Sequence, residues 1–197
     1  MDFLRKIPTQ NRSKILVQSV LEATGRVIGH QGLKGMTVEK VSNTTGISVG
    51  SLYQYFRTKE DLTSGFIYFQ LHRHHSIFME AIRELFELDV EDFISQYCNL
   101  VFEYFQRNRS KIRYVHKFSA QYKQHEVLMK LRQETIEELE KYLLTKKAQV
   151  RMDLDFKLAT TIVVHGMMGI LEKTLEQENA EQYKDEAIQM IKSYVLA

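Results

Sequence analysis

Apolar residues recur at spacings of three and four along almost the whole chain, a period that predicts helices throughout. Val17, Val20, Leu21, Thr24, Val27 and Ile28 form one face of a first helix, from about Gln10 to His30, which Gly32 ends. Thr37 is an N-cap for a short second helix through Asn43 or Thr44, and Gly46 supplies the positive φ of a tight turn. Ser48 caps a third helix that runs to about Tyr55. Thr58 with Asp61 three residues on has the form of a capping box, and a fourth helix follows from Lys59 to about Leu85 without an internal linker.

Five more helices are predicted, from Glu91 to Gln106, Arg109 to about Lys123, His125 to Gln149, Asp155 to Gln177 and Ala180 to Leu196. Ile94, Tyr97, Cys98, Val101, Phe102 and Phe105 stripe the first of these, and Ile112, Val115, Phe118 and Tyr122 the second. The penultimate helix differs, because Ile162 to Leu171 (IVVHGMMGIL) is apolar nearly all round and must be covered on two sides. One side can face the body and the other a second copy of the chain, with Gly166 and Gly169 permitting close helix approach. No strand-like run bounded by hairpin signals competes, so the expected fold is all-α with about nine helices.

Charge refines this picture. The formal net charge of +2 is too small to point to nucleic acid, but it is unevenly spread. Residues 1–65 hold 9 Lys/Arg against 5 Asp/Glu, and residues 66–197 hold 18 against 20, a balance of +4 and −2. The basic excess therefore sits where the short helices are, as a phosphate-facing surface requires. The opening MDFLRKIPTQNRSK is polar and basic with no apolar stretch after it, and no run of about 18 uncharged apolar residues follows. No membrane association is expected. A single cysteine, Cys98, excludes an intramolecular disulfide and fits a reducing cytoplasm.

Catalytic and metal signatures are weak. There is no GxSxG, phosphate-cradling glycine loop, HExxH or zinc-type Cys/His spacing, so neither an enzyme nor a bound cofactor is expected. His72 and His75 are three apart on one helical face, but no Asp, Glu or Cys at the next turn completes a ligand set. Cys98 lies on an apolar stripe and reads as a core residue.

Two short helices joined at a glycine turn, Thr37 to Phe56, have the spacing and core pattern of a helix-turn-helix. Val38, Val41, Ile47, Leu52 and Phe56 form its core, leaving Val49, Gly50, Ser51, Tyr53, Gln54 and Tyr55 around the exposed part of the second helix. The run from Arg12 to Leu62, with TVEKVSNTTGISVGSLYQYFRTKEDL inside it, closely resembles the DNA-binding segment of the TetR family. The matching features are Gly32, Thr37, Gly46-Ile47-Ser48, Gly50-Ser51-Leu52-Tyr53, Phe56 and Lys59 to Leu62. Ser42 and Thr45 depart from the usual alanines, and Val49 from a frequent lysine or polar residue.

The resemblance implies a DNA-binding domain over 1–58 and a helical effector-binding and dimerisation domain over 59–197. It implies that Thr37, Tyr53, Tyr55 and Lys59 touch phosphates, while Val49, Gly50, Ser51 and Gln54 lie near base edges. It further implies a homodimer through the last two helices, a palindromic duplex operator, and a small, largely apolar or aromatic effector that releases a repressor from that operator. Pockets for such molecules are apolar spaces between helices with a few polar tips. The candidates to line one are Phe69, His72, Tyr97, Val101, Phe105, Phe118, Tyr122, His165 and Met167. The alternative is a TetR-like DNA-binding protein that acts through protein partners in chromosome organisation or division control, without a small ligand.

Overall fold

The computed structural model describes residues 3–109, 112–113, 125–174 and 179–196. Among them are eight α-helices, two short 3-10 turns and no strand. Helix α1 is Asn11–Gly35, α2 Val38–Thr45, α3 Val49–Tyr53, α4 Lys59–Glu84, α5 Val90–Arg107, α6 His125–Thr145, α7 Phe156–Thr174 and α8 Ala180–Val195. The expected helix from Arg109 to Lys123 lies almost entirely outside the described residues.

Most helix starts are where capping chemistry places them. The Thr37 hydroxyl accepts from the Lys40 N–H at 3.3 Å, Ser48 from Ser51 at 3.2 Å, Thr58 from Asp61 at 3.0 Å and Asp89 from Asp92 at 2.9 Å. The box at Thr58 closes in both directions, because the Asp61 carboxylate accepts from the N–H groups of Arg57 at 2.9 Å and Thr58 at 3.3 Å. Gly32 (φ 70°) breaks the regular part of α1, and Gly46 (φ 71°) ends α2 in the left-handed region.

Two ends fall short of the pattern. Helix α3 stops at Tyr53 instead of Tyr55, because the Tyr55 and Phe56 N–H groups both turn back to the Leu52 carbonyl and Phe56 drops into the core. Helix α6 stops at Thr145, and Lys147–Gln149 continues as a 3-10 turn whose Gln149 side chain accepts from the Val90 N–H at 2.8 Å.

The described residues up to Arg73 form one compact unit, and those of 74–113 and from Glu126 onward form another; the boundary falls within α4. In the first unit Val20, Ala23, Met36, Val41, Leu52, Phe56, Leu62 and Ile67 are essentially inaccessible to solvent. Ile47, expected in this core, is half-buried. Burial of side chains such as Leu52 and Phe56 contributes roughly 1.5–3 kcal/mol each. Helices α1 and α4 approach closely at Gly25, where a Cβ would come within 2.5 Å of the Phe66 ring.

The second unit is built on α5. Phe93 packs its ring 4.2 Å from that of Tyr142, which also stacks on Phe86 at 5.0 Å. The Tyr142 hydroxyl donates to the Leu88 carbonyl at 3.1 Å, so this large side chain is buried without an orphaned O–H. The buried faces of α7 (Ala159, Val164, Met167, Leu171) and α8 (Ala187, Ile191, Val195) complete the core.

Candidate nucleic-acid interface

The pair α2–α3 is a helix-turn-helix whose turn is pinned by hydroxyls. The Ser42 Oγ donates to the Ile47 carbonyl at 2.6 Å, and the Thr45 Oγ1 accepts from the Ile47 N–H at 3.2 Å while lying 3.0 Å from the Val41 carbonyl. Both polar groups of Ile47 are thus satisfied within the turn. Ser42 and Thr45 are two of the positions where the sequence departs from the TetR pattern, and here those departures fasten α3 to α2.

Anchored by Leu52 from below, α3 presents a short, mostly uncharged surface. Gly50, Tyr53 (41% exposed) and Gln54 face solvent, while Val49, Ser51 and Tyr55 are half-buried. Gln54 sits at the C-cap rather than inside the helix. A Cβ at Gly50 would meet nothing closer than the Ser48 Oγ at 4.0 Å, so the glycine leaves the surface flat for another reason than internal crowding. The Ser51 hydroxyl is shared with Ser48 at 2.9 Å.

Two of the expected phosphate-contacting side chains stand differently. Lys59 lies in the first turn of α4, half-buried and with no ion pair among the described residues, so its charge is available to an anion. Thr37 is already engaged, accepting from Lys40. The Glu39 carboxyl is held below the ordinary range by its own backbone N–H and by the Thr37 hydroxyl, which places a carboxylate beside Thr37. A phosphate at Thr37 would have to displace or avoid Glu39. Lys40, by contrast, spends its ammonium on the Gly35 carbonyl at 2.7 Å, at the end of α1.

The described residues expected to line an effector pocket fall in both units. Phe69 and His72 belong to the first unit, where the His72 ring lies tilted against that of Tyr68, their centroids 4.3 Å apart. Tyr97, Val101 and Met167 are buried in the second unit's core, with Phe105 half-buried against it. His165 lies on the exposed face of α7, with Nδ1 2.9 Å from the Thr161 carbonyl. Phe118 and Tyr122 lie outside the described residues. Around Phe93, Tyr97, Leu139, Tyr142 and Val163 the core leaves free space of about 30 Å³. Drug-sized ligands need roughly 300 Å³ or more.

Reactive groups of this core are muted. Burial pushes the Cys98 thiol up to about 12, so it stays protonated near neutrality and behaves as an apolar side chain. Burial likewise raises Tyr97, reinforced by the neighbouring Cys98. His75 pairs with the Thr135 hydroxyl at 3.1 Å and lies 3.7 Å from Glu134. Among the described residues no three His, Cys, Asp or Glu side chains are grouped to hold a metal ion, and no helix is long and apolar enough to cross a membrane.

Sequence reasoning overlooked the chain before α1. Phe3 and Leu4 are buried (7% and 8% exposed), although the opening segment reads as polar and basic. The signal was present in the Phe3-Leu4 pair ahead of Arg5-Lys6, but its local polarity masked it.

A short, capped helix set in a three-helix core by a glycine turn, with a flat exposed face, defines a helix-turn-helix. Residues 20–64 match the family model "Bacterial regulatory proteins, tetR family". It is 28% identical over 82 residues to an uncharacterized HTH-type transcriptional regulator of Haemophilus influenzae. That match covers 42% of this chain and only 41% of the relative.

Solved structures extend the likeness to the whole fold. The repressor of the Stenotrophomonas maltophilia multidrug efflux pump SmeDEF, SmeT, superposes with a TM-score of 0.65 at 16% identity, over 92% of this chain and 90% of that one. SmeT has also been solved in complex with triclosan. A transcriptional regulator from Cytophaga hutchinsonii gives 0.66 at 16% identity, over 95% and 100%. At such identities the likeness is one of fold.

Proposed function

We infer that the protein binds duplex DNA as a two-fold dimer and that a small, largely apolar or aromatic molecule releases it from its operator. The observation that carries the DNA half is the exposed, near-neutral face of α3, with Lys59 uncommitted beside it. The small and aromatic groups suit a major groove, where Gln54 can pair with adenine and Val49 can pack on a thymine methyl; lysine suits a phosphate.

Dimerisation has support in the outer faces of α7 and α8. Leu158 (53% exposed), Ile162 (48%) and Met190 (52%) are large apolar groups facing solvent. On the same α7, an added Cβ at Gly166 or Gly169 would meet nothing within 4 Å, so a partner helix has room to come close. A dimer aligns two recognition helices for two half-sites, which gains affinity and specificity together.

For the effector half, support comes from relatives of similar fold. SmeT represses an efflux pump and has been captured with triclosan. A molecule entering the 30 Å³ space near Tyr97 and Tyr142 must part the surrounding helices. Binding there selects a body conformation that differs from the DNA-bound one, so ligand and operator oppose each other. The same filled core, beside an exposed apolar face, favours a second reading in which protein partners take the place of a ligand.

One titration tests both halves. A fluorescent duplex that the full chain selects from a random-sequence pool is titrated with wild-type protein and with Tyr53→Ala/Lys59→Ala. The variant is expected to bind at least tenfold more weakly and with a shallower dependence on salt; unchanged binding removes the assignment of α3 and α4. Apolar aromatic compounds, triclosan first, are then added to the wild-type complex. Release supports effector control, and a complex indifferent to every compound favours the partner-mediated alternative.

A further inference from the structure

The segment ahead of α1 is fastened to the first unit in a way that leaves its two cations free. Phe3 and Leu4 are buried, and the Phe3 ring lies 5.3 Å from that of Tyr68. Gly65 makes the seat: a Cβ there would come within 2.9 Å of both Phe3 and Leu21. The Arg5 N–H then donates to the Tyr55 carbonyl at 2.8 Å, tying the segment to the chain just after α3. At its other end Gln10 caps α1, its carbonyl accepting from the N–H groups of Ser13 and Lys14 at 3.0 Å.

Between these anchors Arg5, Lys6 and Ile7 are exposed. Neither the Arg5 nor the Lys6 side chain makes an ion pair among the described residues. With Gly50, Tyr53 and Gln54 the two cations border an open cleft of about 540 Å³. Two unpaired positive charges are therefore held beside the face of α3 that the proposed function sets in the groove. Exposed and hydrated, both side chains keep their full charge and their donors available to an anion.

We propose that this N-terminal segment is a second DNA-contacting element, in which Arg5 and Lys6 hold backbone phosphates flanking the bases that α3 faces. The inference rests on the reading of α3 as the recognition helix. Because the segment is pinned at Phe3, Arg5 and Gln10, the cations are pre-positioned and little ordering is needed on binding. Phosphate contacts position the protein without reading sequence, so their energy is shared by every duplex.

The test uses the full chain, a duplex selected from a random pool by the wild type, and a scrambled duplex of the same composition. Arg5→Ala/Lys6→Ala is expected to bind both duplexes roughly tenfold more weakly, with the log–log salt slope shallower by about 2, two phosphate contacts being lost. Arg5→Lys/Lys6→Arg should restore both affinity and slope. Since these side chains are exposed, both variants should melt with the wild type, which separates the effect from folding.

An unchanged slope and affinity in the alanine variant, with Tyr53→Ala/Lys59→Ala still impaired, overturns the segment's role and leaves α3 standing. A loss confined to the selected duplex overturns the phosphate assignment in favour of base reading. A wild type that selects no duplex removes the recognition helix and this inference with it.

Discussion

Individual hydroxyls do much of the structural work in the N-terminal unit. Ser42 and Thr45 tie down Ile47, and Thr58 with Asp61 closes the start of α4. Thr58→Ala is expected to cost about 1 kcal/mol, the usual value for a lost N-cap. Urea unfolding should show a lower midpoint with an unchanged slope. A midpoint equal to wild type would mean that Asp61 alone holds the cap. At this scale the sequence was informative wherever a side chain bonds its own neighbourhood: Thr37, Gly46, Ser48 and Thr58 were all placed from spacing alone. It was uninformative where partners are distant. Nothing local says that Gln149 receives the Val90 N–H, that Glu39 crowds Thr37, or that Phe3 fills the gap at Gly65.

Among the elements, periodicity placed seven of the helices to within a few residues and missed chiefly where the last turn tightens. Helix α3 ends two residues early because Phe56 must be buried, and α6 ends early in a 3-10 turn. Helix α7 shows what composition can and cannot say. Its all-round apolar character required two coverings, and the structure supplies one, through Ala159, Val164, Met167 and Leu171, leaving Leu158 and Ile162 exposed. Ile162→Glu is expected to give a monomer by sedimentation with helical content intact, because a charge on an exposed face is tolerated in the single chain but costly when a partner helix desolvates it. A variant that remains dimeric would move the interface off α7.

For the whole molecule, charge asymmetry and motif position are written along the chain and suggest a small basic unit ahead of a larger body, with the expected boundary at residue 58; the compact units of the structure divide within α4, after Arg73. The residues expected to line an effector pocket were far less legible. Aromatic residues at helical spacing mark a core whether or not it opens, and Tyr97, Val101 and Met167 prove to be packed, His165 to be exposed, and Phe69 and His72 to belong with the other unit. Which helices enclose a cavity is a property of tertiary packing that periodicity does not encode. The central claim is that two copies present two α3 helices to one duplex. Hydroxyl-radical footprinting of the full chain on its selected duplex, with the mass of the complex measured in parallel, tests it most directly. The account predicts two protected half-sites related by a two-fold axis, their centres about 10 base pairs or a multiple apart, with an even number of chains bound. A single asymmetric footprint under one chain, or no protection at all, would contradict it.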